Sequence, residues 1–237
     1  LADRPFTDPS HVASDRLHVA HMIRRLWRTC EEHPELKRTR FPFRRVYQED
    51  GRRPHQVILT RPDDLRTRDE FIVIGFFGHM REGAERVTLI AVQQVDEELI
   101  GDFPRFGGLL SYSSMLLENG DWGNVATFKD MDSMIRWANN RRHTTAVRLL
   151  AARHYANIRL HTLAIRRGGL NANHLEPVRT KFYEYGSDGE WRGLREWAAE
   201  QTPASQAADV SPRESTMGTD GTSGTCPFGF GAPSEPL

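Results

Sequence analysis

Cysteine is nearly absent: Cys30 and Cys226 are the two in a chain of 237 residues. The second lies in a Gly- and Ser-rich stretch, so no structural disulfide is expected and a reducing, cytoplasmic home is. Lysine is scarce too, with Lys37, Lys129 and Lys181 beside an Arg-dominated remainder of the 32 basic side chains. Arginine is spread through every segment, which the codon bias of a GC-rich genome explains without any phosphate partner. Long hydrophobic runs are missing. The longest, such as Phe71 to Phe77, is strand-sized and far below the roughly 20 residues of a membrane helix, and no secretory apolar region is present. No Gly-rich phosphate loop, Gly-x-Ser-x-Gly elbow, Cys-x-x-Cys or His-Glu-x-x-His occurs, which disfavours nucleotide hydrolysis, α/β-hydrolase chemistry and zinc-protease chemistry.

What is present suffices for a core without staples: 38% hydrophobic residues, with aromatics spread from Phe6 to Trp197. The balance of 32 basic and 32 acidic side chains hides an asymmetry, since residues 1–68 are net basic and residues 188–237 net acidic. Leu17, Ala20, Ile23, Trp27 and Cys30 recur at helical spacing in a helix over 10–33 capped by Ser10 or Ser14. Phe43 to Gln48 and Gln56 to Thr60 read as strands joined across Asp50-Gly51. The run from Phe71 is a strand buried on both faces, and Val87, Ile90, Ala91, Val95 and Leu99 mark the apolar face of a helix over 84–100. Leu109 to Glu118 and Trp122 to Phe128 flank Asn119-Gly120-Asp121, a strong hairpin signal. One long helix from Asp132 to about His154, strands over 158–166 and 178–185, and a last helix over 188–201 complete the reading. From Thr202 the composition is that of a disordered linker, ending in Cys226-Pro-Phe-Gly-Phe230, either plain disorder or a short peptide that docks on a protein partner.

Residues 71–185 thus run β-α-β-β-α-β plus an extra strand, a ferredoxin-like α+β core of four antiparallel strands covered on one face by two helices. The expected division is an N-terminal helix and hairpin (1–69), the core with its C-terminal strand and helix (70–201), and a disordered tail (202–237). The run Leu110-Ser-Tyr-Ser-Ser-Met-Leu-Leu-Glu, the turn, Gly123-Asn-Val-Ala-Thr-Phe-Lys-Asp, and a helix holding Trp137, His143 and Ala146 resembles the dimeric α+β barrel superfamily over roughly residues 70–185. That superfamily includes antibiotic-biosynthesis monooxygenase-like proteins and heme-binding enzymes. The resemblance implies a homodimer in which the bare sheet face is buried against a partner, and a small hydrophobic or aromatic ligand held between sheet and helices.

Several residues are candidates for that chemistry. Tyr112, Ser114, Trp122 and Asn124 alternate along the central hairpin and form either a polar, aromatic lining or cross-strand packing; Asn124 tips the reading toward a lining, because a buried amide without partners is costly. Arg159 and His161 share a strand face, where in a cavity they would bind a carboxylate or propionate and serve as acid or base. His143 and His154 lie about 16 Å apart along one helix, too far to share a metal, but either can be the single axial ligand of heme, with His143 the preferred metal ligand. His11, His18 and His21 recur along the first helix, and the last two are spaced to share a metal but lack a third ligand at suitable spacing, so a solvated stripe is expected of the three. The leading expectation is therefore a monooxygenase-like oxidoreductase, with or without heme, whose catalytic set is His161, Tyr112, Asn124 and Trp122 and whose cofactor set is His143, His154 and Arg159. The alternative is a non-enzymatic ligand-binding or interaction module. Nucleic-acid binding by the N-terminal arginines ranks below both, for want of an aromatic-basic platform.

Overall fold

Turn chemistry starts the sheet. Asp50 and Gly51 adopt φ of 51° and 73°, the left-handed pair at the centre of a tight turn closed by the Arg52 N–H on the Glu49 carbonyl at 3.1 Å, and with Arg52 they join β1 (Phe43–Glu49) to β2 (Arg53–Leu59). In the computed structural model, which describes residues 3–36, 42–83, 86–187 and 189–197, six further strands follow. They are β3 (Phe71–Met80), β4 (Leu109–Leu116), β5 (Trp122–Phe128), β6 (Tyr155–Ile165), β7 (Glu176–Gly186) and β8 (Gly189–Glu196). All pair antiparallel in one sheet, in the order β1-β2-β4-β5-β3-β6-β7-β8.

The sheet therefore has eight strands, where the sequence pattern suggested four. The helix and hairpin ahead of Phe71 do not stand apart from it, because β2 pairs with β4, Ile58 opposite Tyr112. The last helix expected over 188–201 is corrected to a strand as far as Glu196: β8 sets Arg195 opposite Thr180 and Trp191 opposite Glu184. Trp191, Leu194 and Trp197 sit at helical intervals, but ladder pairing with β7 overrides that weak local pattern. The long helix from Asp132 is likewise two, α4 (Met131–Ala138) and α5 (Arg141–His154). Asp130 caps the first, accepting the Ser133 N–H at 2.7 Å. Asn140 Oδ1 accepts the His143 N–H at 3.3 Å and opens the second. The tail from Thr202, with its Cys226 to Phe230 peptide, lies outside the described residues.

Both faces of the sheet are covered. On the first lies α1 (Pro9–Glu32), started by Pro9 in its first turn and by Asp8, whose carboxylate accepts the Ser10 N–H at 2.8 Å. Its Val19, Met22, Ile23 and Leu26 are buried among Val57, Leu59, Val73, Phe77, Val125 and Leu163, each worth roughly 1.5–3 kcal/mol of transfer free energy. Gly75 lets the helix come this close, since a Cβ there would lie 2.9 Å from Val19 Cγ2. On the second face, Ile58, Tyr112, Ala126 and Phe128 pack against Leu99 and Ile100 of α3 (Arg86–Asp102), against Phe103, and against Met134 and Trp137 of α4. A short α2 (Pro62–Thr67), which carries no amphipathic signal, links β2 to β3. Because α1 occupies the face that the homodimer expectation left bare, the physical reason for that expectation is removed.

Candidate functional site

Side chains switch faces every residue along a strand, so β6 turns both Arg159 and His161 toward α1. Asp15 awaits them there, 3% exposed in the apolar stripe of the helix. Arg159 donates through Nε at 2.6 Å and Nη2 at 3.0 Å, one bond to each carboxylate oxygen. His161 donates through Nε2 to Oδ2 at 2.8 Å. That leaves Nδ1 as acceptor for the Thr180 hydroxyl at 2.9 Å, and Thr180 Oγ1 in turn accepts the Trp197 indole N–H at 3.2 Å. Burial pushes the Asp15 carboxyl up, but the bonds from His161 and Arg159 outweigh it and hold it below the usual carboxylate range. Both Asp15 oxygens, both His161 nitrogens and the Thr180 hydroxyl are matched, as the buried part of a network must be.

Arg159 is also the wall of a groove of about 240 Å³, shared with Phe6, Phe77, His79, Asn119, Asp121 and Asn157. β3 ends here, and the turn between β4 and β5 folds across it. His79 donates through Nδ1 to Asp121 Oδ2 at 2.9 Å. Asp121 is itself fixed by the Met80 N–H at 3.2 Å and the Asn119 amide at 2.8 Å. An imidazole with Nδ1–H committed to a carboxylate presents Nε2 as a base, and 59% of the His79 side chain is exposed. The Nη1 of Arg159 carries no hydrogen bond among the described residues, and the buried Oδ1 of Asn157 has no partner. One groove thus offers a guanidinium donor, an imidazole base and two aromatic walls.

The other expected residues lie elsewhere. Tyr112, Ser114, Trp122 and Asn124 do share one face of β4 and β5, all buried, with Gln56, Ser114 and Asn124 in one lateral row. It is the face opposite α1, so the sheet separates them from His161, and the expected catalytic set is not one site. His143 sits 5.7 Å from the Trp137 ring, its Nδ1 unpartnered among the described residues, and burial pushes its pKa down. His154 is 0% exposed with neither ring nitrogen bonded among the described residues, and burial pulls its pKa down to about 4. Two of the three do not fit the heme roles expected of them: His154 has no exposed edge to offer an iron and lies against Tyr155 at 4.9 Å, and Arg159, the expected propionate partner, emerges on the other face and is bound to Asp15.

Sequence reasoning found Arg159 and His161 by strand parity but missed Asp15, His79, Asp121 and Thr180. A signal existed for Asp15, a carboxylate standing in register with Val12, Val19 and Met22 on the apolar stripe of α1. No protein family, curated protein or solved structure matches the chain.

Proposed function

We propose that the chain binds a small aromatic or otherwise planar anion in the groove beside Arg159 and moves a proton on it with His79. The observation that carries the reading is the convergence of His79–Asp121 with an Arg159 whose position is set by a buried carboxylate, in one space of about 240 Å³. Arg159 Nη1 would bind the anionic group, Phe6 and Phe77 would flank the ring, and His79 Nε2 would accept or return the proton while Asp121 steadies the imidazolium. The volume lies below the 300–1,000 Å³ of drug-sized pockets, which favours a single ring with short substituents.

Benzoate and salicylate are suitable probes. Amide shifts confined to the groove on titration, weakened at least tenfold in His79→Ala, are the expected result. Shifts scattered over the surface, or unchanged in that variant, would refute it.

One observation favours a second, narrower reading. The inner strands β4-β5-β3-β6, joined through α3 and through α4 with α5, follow the order of the split βαβ arrangement, and this supports a monooxygenase-like oxidation of an aromatic compound. Oxygen consumption with electron-rich phenols tests it, and an oxygen electrode trace that stays flat with all of them counts against it.

A further inference from the structure

A second polar cluster lies under the middle of α1, outside the groove. Glu49, at the end of β1, is 6% exposed, and His55 on β2 is 0% exposed. His55 Nδ1 lies 2.7 Å from Glu49 Oε1, and His21 Nε2, from α1, lies 3.2 Å from Glu49 Oε2. The donor atoms of His21, Glu49 and His55 all fall within 4.8 Å of one another. Two imidazoles and a carboxylate are a donor set for a borderline divalent ion such as Zn²⁺.

The hydrogen bonds behind His55 point the same way. With the Ser113 hydroxyl donating to the Gln56 carbonyl at 3.1 Å, its oxygen can accept His55 Nε2–H at 2.7 Å, the tautomer that gives Nδ1 the lone pair a metal needs. A ligating histidine whose other nitrogen donates to a fixed oxygen is also the usual outer-shell arrangement.

Arg25 is the objection to be met. It donates through Nε and Nη2 to the two Glu49 oxygens at 3.1 and 3.2 Å. Each carboxylate oxygen has a second lone pair, so the guanidinium holds Glu49 from one side and leaves the other for an ion. Ligands at about 2.1 Å from a tetrahedral ion lie roughly 3.4 Å apart. The His21 to Glu49 spacing of 3.2 Å already meets that, and the His55 contact must open by about 0.7 Å. His21 is 44% exposed, so the site is reached from solvent.

The geometry points to a divalent transition-metal site made by His21, Glu49 and His55, with a solvent molecule completing the coordination of a Zn²⁺-class ion. The full chain, stripped with chelator and dialysed, is titrated with zinc chloride by calorimetry and with cobalt chloride by visible absorption. One equivalent should bind, Co²⁺ should develop d–d bands of low-symmetry coordination, and His21→Ala should weaken binding at least tenfold. That variant truncates a half-exposed ring and keeps the fold, checked by circular dichroism; Glu49→Gln should act in the same direction, while Cys226→Ser and His11→Ala should leave affinity unchanged. No uptake from micromolar ion, or uptake that survives His21→Ala, overturns the assignment.

Discussion

Two carboxylates are buried under the same helix, and each is gripped by one arginine and by imidazole. Asp15 belongs to the helix and draws Arg159, His161 and, through them, Thr180 and Trp197 from the sheet. Glu49 belongs to the sheet and draws Arg25 and His21 from the helix. The Asp15 cluster is closed at its carboxylate and histidine, 4% and 2% exposed, and both groups are fully hydrogen-bonded. The Glu49 cluster gathers two imidazoles and opens to water at His21. The parts are alike, but a sealed, matched network positions a neighbour, here Arg159 in the groove wall, whereas an open one with a spare lone pair can take a ligand.

Removing the carboxylates should break that comparison most sharply. Asp15→Ala leaves Arg159 and His161 buried without a counter-charge and should cost about 3–5 kcal/mol in urea unfolding. Glu49→Ala should cost less, about 2–3 kcal/mol, because His21 and Arg25 can turn toward water. Equal losses would show the openness of the second cluster to be irrelevant.

Acid titration separates contributions by pH. The His154 pKa is lowered to about 4 in the fold, so the unfolded chain takes up its proton first, below about 6.5. The stability that the neutral ring provides is whole above about 6.5 and drains away as pH falls to about 4, with a slope of at most about 1.4 kcal/mol per pH unit. Below that the folded ring protonates too and the loss levels off. Asp15, whose pKa is depressed, contributes stability that is whole above its unfolded value of about 3.9 and is lost as pH falls through its lower folded value. His154→Leu should therefore flatten the curve between about 6.5 and 4, and Asp15→Asn only below about 4. Overlapping curves for the two variants would contradict these assignments.

Finer cuts follow. Thr180→Val leaves His161 Nδ1 and the Trp197 N–H without partners and should cost about 1–2 kcal/mol; the loss should come with a shift in Trp fluorescence. His21→Ala should cost under about 0.5 kcal/mol in chelator-treated protein, and its effect should appear in metal uptake. A stability loss in His21→Ala as large as in Thr180→Val would mean that the open cluster is as rigid as the closed one.

Much of the local structure was legible in the residues. Asp50-Gly51 and Asn119-Gly120 marked their hairpins, the unbroken apolar run from Phe71 marked a central strand, and parity placed Arg159 with His161 and Tyr112 with Ser114. The break at Asn139-Asn140 was not, because the apolar spacing of α4 and α5 continues across it and the capping bonds of Asp130 and Asn140 depend on side-chain orientation. β8 has the pattern of a helix because Trp191, Leu194 and Trp197 satisfy a helical period, while as a strand its alternation is obscured by Gly193 and Arg195.

By itself the sequence determined turns, strand parity and the apolar stripe of α1, since each depends on steric and hydration preferences within a few neighbouring residues. Only the tertiary structure decided which face met which helix. Asp15 and His161 are 146 positions apart, and no local preference links them; the packing of α1 across the sheet does, and with it the placing of Tyr112 and Asn124 on the far side from His161.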